Sequence, residues 1–315
     1  RILARQRKRK GDPVTGWLNL FKPVDITSTQ AVAILKKKYN AQKVGHGGTL
    51  DPLADGILPI AFGEATKTVQ WAMDARKEYV FTIRWGVSTE SQDAEGDVTG
   101  TSDARPTREQ VEELLKGYIG TIEQVPPRFS AIKVDGQRAY DLAREGEEFE
   151  LTSREVDVFT ADVIGMPDAD HTVIHVTSGK GFYVRAMARD LAFDLECEGH
   201  ISQLRRTRVG QFGAATAIPL SRIEETEDPE TLMGFLQPIH AVLEGVPSVD
   251  ITREEAGHIR HGRSIVLLPH LIEAWQGQKS EDPEDRSAIA VCEGKAVALG
   301  EIRAGQFEPG RVFMS

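Results

Sequence analysis

Hydrophobic and polar positions alternate over residues 16–21 (Gly-Trp-Leu-Asn-Leu-Phe), the two-residue period of a strand, and Lys22-Pro23 ends it. Ser28-Thr29 supplies N-cap residues for a helix running to about Tyr39, with Ala31, Ile34, Leu35 and Lys38 at helical spacing. Residues 44–56 then break every period: Gly45, Gly47, Gly48, Pro52 and Gly56 predict a loop, followed by an apolar strand at 57–62. A second strand is expected at 78–87, and Thr107-x-x-Gln110 reads as a capping box opening a helix to about Lys116. After Pro126-Pro127, residues 128–134 are strand-like, Asp135-Gly136 signals a turn, and 137–145 fit a short helix, an excursion from the main sheet. Strands resume at 156–164 and 172–177. The strongest helical stripe, Val184, Ala188, Leu191 and Leu195, predicts a helix over 182–197.

Residues 224–229 read as a linker. Beyond Pro247, Thr252-x-x-Glu255 caps a helix to His261, Gly262 stops it, and 288–291 and 296–302 are strands. The expected organisation is an α/β (α+β) domain at 14–245, preceded by a basic disordered arm at 1–13 and followed by a small β-rich unit at 246–315.

Charge changes this picture more than composition does. The 315 residues carry a net charge of −10, which by itself argues against a nucleic-acid partner. Yet residues 1–50 carry +9, leaving −19 on the remainder, and Arg205-Arg206-Thr207-Arg208 forms a second basic knot. By contrast, 224–230 holds five acids in seven residues. A basic front and an acidic back fit a partner that is a polyanion, although a solvated tail would account equally for the first ten residues. The two cysteines, Cys197 and Cys292, form no Cys-x-x-Cys pair. With no run near the roughly 18 apolar residues of a membrane helix and no signal-type apolar core at the start, the expectation is a cytoplasmic protein with no membrane association.

P-loop, Gly-x-Ser-x-Gly, His-Glu-x-x-His and Gly-x-Gly-x-x-Gly patterns are missing, so no nucleotide cofactor or metal is expected. His171-x-x-x-His175 and His258-x-x-His261 have ligand-like spacing without an obvious third ligand, and read as structural. The unusual segment is 45–59. Its glycines permit positive φ and close approach of a ligand around His46 and Thr49, and Pro52 biases Asp51 towards extended backbone. An aspartate held on such a loop suits a nucleophile or general base. An Asx turn at Asp-Pro explains the same pattern.

The run Gly45-His46-Gly47-Gly48-Thr49-Leu50-Asp51-Pro52-Leu53-Ala54-Asp55-Gly56-Ile57-Leu58-Pro59 resembles the signature of the TruB family of tRNA pseudouridine synthases. Leu20-Phe21-Lys22-Pro23, Thr27-Ser28, Lys77-Glu78-Tyr79, the stretch from Ser178 to Arg185, and Leu204-Arg205-Arg206 follow in the family's order. The resemblance spans about 14–240. It implies a mixed, mainly antiparallel catalytic sheet with flanking helices, an RNA-clamping insertion at about 127–155, and a PUA-like C-terminal domain. It also implies isomerisation of a uridine in the T arm of tRNA (position 55 in tRNA numbering) to pseudouridine, without cofactor or metal.

By the same resemblance Asp51 is the catalytic carboxylate, acting at C6, at C1′ or as a base at C2′. Tyr79 stacks on the flipped base, and Tyr183 and Leu204 line the uridine pocket. His46 meets the RNA where the base leaves. Arg185, unfavourable near a helix start, is explained by a bidentate pair with Asp51. Lys22, Arg128, Lys133, Arg205 and Arg206 are candidate contacts to the RNA backbone, and Arg138 joins them in the insertion. The expected partner is the tRNA T-arm stem-loop, bound by a monomer with no obligate protein partner.

Three other functions compete: a non-catalytic RNA-binding protein, a guide-RNA-dependent relative sharing the Gly-His-x-Gly-Thr-Leu-Asp-Pro core, and a hydrolase using Asp51 and Asp55. Asp51, Tyr79 and Arg185 together speak against the first, since binding alone needs none of them. The Leu-Ala-Asp after Asp51-Pro52 and the small C-terminal unit favour a stand-alone enzyme over the second. Carboxylates four apart on a loop have no fixed separation, which weakens the third.

Overall fold

The computed structural model describes residues 11–130, 132–134, 136–278 and 285–314. Asp135 and most of the expected N-terminal arm (residues 1–10) lie outside the described residues. The end of that arm is not loose: the Asp12 amide donates to Asn40 O at 2.6 Å, and Gln42 N donates to Asp12 O at 3.0 Å.

Ten strands form the main sheet. They are β1 (Gly16–Lys22), β2 (Val44–His46), β3 (Asp55–Phe62), β4 (Lys77–Trp85), β7 (Gly120–Gln124), β10 (Arg154–Asp168), β11 (His171–Ser178), β12 (Gly199–Val209), β13 (Phe212–Gly213) and β14 (Ile218–Pro219). The order is β14-β1-β3-β12-β4-β11-β10-β7, with β2 added to β3 and β13 to β12. Only the β1–β14 and β3–β12 pairings are parallel, so the sheet is mixed and mainly antiparallel. Helix α2 (Val69–Asp74) lies between β3 and β4; between β4 and β7 lie a small pair, β5 (Val87–Thr89) and β6 (Val98–Thr101), and helix α3 (Arg108–Lys116).

Periodicity explains which faces are covered. Along β4, Lys77, Tyr79, Phe81, Ile83 and Trp85 point inward while Arg84 is exposed, the signature of a strand covered on one face. β3 is buried on both faces: Leu58, Ile60 and Phe62 join the main core with α1 (Ser28–Lys38), while Ile57 and Ala61 join a second core with Trp17 and Phe212. That second core takes in Ile289, Val291 and Phe313 of the C-terminal unit. The latter is a five-stranded sheet of β15 (Ser248–Asp250), β16 (Ile265–Val266), β17 (Ser287–Cys292), β18 (Lys295–Arg303) and β19 (Gln306–Val312), with its own core around Trp275 and Phe307.

Several expectations need correction. The first helix is capped by Thr27, whose Oγ1 accepts from Gln30 N at 3.0 Å while Thr27 N donates to Gln30 Oε1 at 2.7 Å. The strand expected at 78–87 breaks after Trp85, where Gly86 takes φ +89°. The helix expected at 182–197 is shorter, α5 (Val184–Asp194), because Glu196 turns left-handed at φ +50°. In the insertion, the strand expected at 128–134 is reduced, among the described residues, to the short pair β8 (Lys133–Val134) and β9 (Gln137–Arg138), followed by α4 (Ala139–Arg144). The segment at 224–229 is no linker: it ends the helix Leu220–Glu225, and Asp228 caps the helix Pro229–Gly234 through Thr231 N at 2.8 Å. The central strand β12 went unforeseen. Its arginines mask the strand pattern, and bulges between Ile201/Gln203 and Arg206/Arg208 shift the alternation.

Candidate functional site

Asp51 sits on the loop that feeds β3, and buried polar groups fasten this loop from three sides. Ser28 Oγ donates to Leu50 O and accepts from Leu50 N, both at 2.9 Å. The Arg206 guanidinium, 2 % exposed, donates to Ile57 O at 2.8 Å and to Thr49 O and Gly48 O at 3.1 Å. The Lys22 ammonium, fully buried, donates to Pro23 O at 2.7 Å and Ile26 O at 2.8 Å, with Pro52 O at 3.5 Å. Burial lowers the Lys22 pKa to about 8, opposed by the charges of Asp55 and Asp51. Lys22 and Arg206 were expected to touch RNA phosphates. Their donors are instead spent on backbone carbonyls inside the protein, because a loop this poor in ladder bonds needs other donors for its buried carbonyls.

One glycine is dictated by the same packing. Gly56 has φ +108°, and a Cβ there would lie 2.2 Å from Arg206 O, where β3 and β12 run side by side.

Arg185 reaches Asp51 from the first turn of α5. Its Nη2 lies 3.0 Å from Asp51 Oδ2, with the two side chains 6 % and 33 % exposed. The guanidinium also donates to Ser91 O (3.1 Å, Nη1) and Phe129 O (2.8 Å, Nη2), and its Nη1 lies 3.7 Å from Asp93 Oδ2. The pair is therefore single-pronged rather than bidentate: Arg185 divides its donors among two carboxylates and two carbonyls. These acids offset the adverse placement of a cation at a helix N-terminus. Asp93 is 2 % exposed, accepts from Ser91 Oγ and from Glu95 N (3.1 Å), and was missed by sequence reasoning. The stretch Thr-Glu-Ser-Gln-Asp around it reads as a solvated turn.

A cleft of about 380 Å³ opens beside the pair, lined by Asp51, Tyr79, Phe182, Tyr183, Arg185 and Leu204. Tyr79, on β4 opposite Arg206, is 8 % exposed, with its ring centroid 6.5 Å from that of Phe182 at a 44° tilt. The Tyr183 hydroxyl has its pKa raised, first by burial and then by the Asp51 charge. Arg154, Lys180 and Lys77 add cations to the wall. Lys180 pairs with Asp74 at 2.6 Å, and Lys77, lowered to about 8 by burial, donates to Met73 O and Ala75 O at 2.6 Å. Arg154 and Lys180 were not anticipated as site residues.

The remaining expected residues lie further out. His46 ends β2 opposite Ile60 and is not part of the cleft lining. Arg205, 56 % exposed, grips Asp55 through Nε–Oδ1 at 2.8 Å and Nη2–Oδ2 at 2.6 Å. Arg128 is exposed in the insertion, donating to Glu147 O at 2.8 Å and lying 5.1 Å from the Phe149 ring. The side chains of Lys133 and Arg138 lie outside the described residues. Among the described residues no group of three His, Cys, Asp or Glu could hold a metal. His171 meets Asp168 Oδ1 at 2.7 Å, and His261 meets Gly257 O at 2.8 Å. No described helix is long and apolar enough to cross a membrane.

Residues 36–184 match the model of the TruB family pseudouridylate synthase N-terminal domain, and residues 185–244 match that of the tRNA pseudouridylate synthase B C-terminal domain. A tRNA pseudouridine synthase B from Caulobacter vibrioides is 53% identical over 307 residues, 98% of each chain. One from Rhizobium johnstonii is 47% identical over 318 residues, 99% of this chain and 100% of the relative. Among solved structures, a Cbf5-Nop10-Gar1 complex aligns with TM-score 0.68 and 25% identity over 99% of this chain and 92% of that chain. An archaeal box H/ACA Nop10-Cbf5 complex, at TM-score 0.69 and 22% identity over 99% of this chain and 94% of that chain, shares the fold. The first model covers the Asp51 loop, Tyr79 and the insertion, the second begins at Arg185, and the relatives match end to end: the chain belongs to the TruB family of pseudouridylate synthases.

Proposed function

We propose that the protein isomerises the uridine of the tRNA T arm (position 55 in tRNA numbering) to pseudouridine, with Asp51 as the catalytic residue. The observation that carries this reading is a partly exposed carboxylate held by a buried arginine in the lining of a cleft shared with Tyr79 and Leu204. The reaction breaks the N1–C1′ bond, turns the uracil and forms a C5–C1′ bond. The C5 proton leaves and N1 gains one, so the composition of the nucleotide is unchanged. The target base must leave its stack, and a lining that sets the Tyr79 ring beside the aliphatic Leu204 side chain suits a flipped pyrimidine. Arg185 takes Asp51 Oδ2, orients the carboxylate, and leaves Oδ1 available to the reacting nucleotide.

Around the cleft, Arg154 and Lys180 are the cations best placed for phosphates of the target strand, with Arg128 and Arg205 beyond them. Lys22 and Arg206 serve the loop. The 14–245 segment acts as the catalytic domain, and 246–315 as a PUA-like RNA-binding domain. The enzyme works as a cytoplasmic monomer without a protein partner, cofactor or metal.

The test is incubation of the purified chain with unmodified tRNA, without guide RNA, followed by mapping of pseudouridine. Product at the T-arm uridine is expected with wild type and none with Asp51→Asn or Asp51→Ala, both of which keep tRNA affinity. Equal product from either variant overturns the catalytic assignment. Modification only with a guide RNA points to the guide-dependent relatives, and release of free uracil points to a hydrolase.

A further inference from the structure

Arg185 is held in place by a chain segment remote in sequence from Asp51. β7 ends at Gln124, whose side chain is 2 % exposed and whose amide is used at both ends by one residue. Its Nε2 donates to Tyr183 O at 3.1 Å, and its Oε1 accepts from Tyr183 N at 2.8 Å. This side chain acts as a strand partner to a single residue 59 positions away. Tyr183 is the N-cap of α5 and makes no side-chain capping bond of its own. The entry into the helix is therefore set from outside, by Gln124.

The neighbouring backbone repeats the connection. Val125 O accepts from Arg189 Nη2 at 2.9 Å, and Phe129 O accepts from Arg185 Nη2 at 2.8 Å. The 124–129 strap thus grips Tyr183, Arg185 and Arg189, and it leads directly into the insertion at 127–155. We propose that Gln124 is a positioning residue for the isomerisation: it acts through Tyr183 and Arg185, fixing the start of α5 so that the guanidinium meets Asp51 Oδ2. The proposal rests on the reading of Asp51 and Arg185 given above. Glutamine suits the position because one donor and one acceptor are needed side by side. Glutamate can only accept there, and methionine fills the same space with neither.

The test uses the full-length protein and unmodified tRNA, with single-turnover rates at saturating enzyme, equilibrium tRNA binding and thermal melting measured for wild type, Gln124→Met and Gln124→Glu. Displacement of a catalytic group by about an ångström costs up to roughly a hundredfold in rate. Both variants are expected to lose about tenfold or more in single-turnover rate while binding tRNA within about twofold of wild type. In an Arg185→Lys background, Gln124→Met should cost less than about threefold further, because the group it positions is already impaired. A wild-type rate in either folded variant overturns the proposal. So does a loss confined to affinity or melting temperature, or a full tenfold loss added on top of Arg185→Lys. Should Gln124→Met fail to fold, the isosteric Gln124→Glu decides alone. If wild type itself forms no pseudouridine, the functional reading has failed rather than the role of Gln124.

Discussion

Arg205 and Arg206 are neighbours on β12, yet their side chains take opposite faces, so replacing each should give opposite phenotypes. Arg206 makes three hydrogen bonds at 2.8, 3.1 and 3.1 Å to carbonyls of the Asp51 loop and β3. Each charge-assisted bond contributes about 1.5–3 kcal/mol, and losing the donors leaves three carbonyls short of partners. Relief of the buried guanidinium's desolvation offsets part of this. For Arg206→Met we expect a net loss of about 3–4 kcal/mol, which at roughly 2–4 °C per kcal/mol lowers the melting temperature by about 10 °C. Turnover should fall as well, since the loop carries Asp51. Arg205 has a half-exposed pair with Asp55, and Arg205→Ala should cost at most about 1 kcal/mol. Its effect should appear in tRNA binding, as a slope of log K against log salt reduced by about 0.9 for one lost phosphate contact. Melting by circular dichroism and a salt titration of tRNA affinity measure both. An Arg206→Met protein with wild-type melting and a reduced salt slope would refute the reasoning, because it would make Arg206 an RNA contact and not a loop fastener.

Other substitutions probe the site and its supports. Arg185→Lys should lower the single-turnover rate by about a hundredfold with little change in tRNA affinity, because one ammonium cannot serve Asp51, Asp93, Ser91 O and Phe129 O together; an unchanged rate would remove the ion pair from the mechanism. Gly56→Ala should destabilise the fold by about 3 kcal/mol or more, since its Cβ would meet a backbone oxygen at 2.2 Å and φ is +108°; equilibrium urea unfolding reads this directly. Lys77, like Lys22, makes stability depend on pH: its folded pKa of about 8 lies below the usual 10.5, so the unfolded chain holds the extra proton between those values. Its contribution therefore rises with pH through that window and is smallest at and below neutrality. The stability difference between wild type and Lys77→Met should shift by about 2 kcal/mol in favour of wild type from pH 7 to 9.5, and a flat or opposite trend would contradict burial as the cause.

Much of this protein was legible in local pattern. The capping boxes at Thr107 and Thr252 are made as the spacing predicted, because their partners lie three residues away. The alternation of β1 and the apolar run of β3 announce strands, and the glycines announce the loop that carries Asp51, but the loop is shorter than the expected 44–56, because Val44–His46 pairs as β2 and β3 already begins at Asp55. The motif resemblance carried the family and the Asp51–Arg185 pairing. Which arginine faces solvent and which faces the core was not legible, since bulges between Ile201/Gln203 and Arg206/Arg208 in β12 reset the alternation and only the neighbouring strands reveal it. Lys22 looked like a surface cation for the same reason: the carbonyls that consume its charge come from the turn at 23–26 and from Pro52. Asp93 and Gln124 carry no local signal at all. Their contacts are with partners 92 and 59 residues away, Arg185 and Tyr183, that only the folded chain brings alongside. Sequence by itself determined many of the elements, the family and the place of Asp51 on its glycine-rich loop, since those rest on short-range periodicity and a contiguous motif. Tertiary structure alone decided which cations are buried and what holds the arginine in place, because burial and hydrogen-bond partnership are properties of long-range packing.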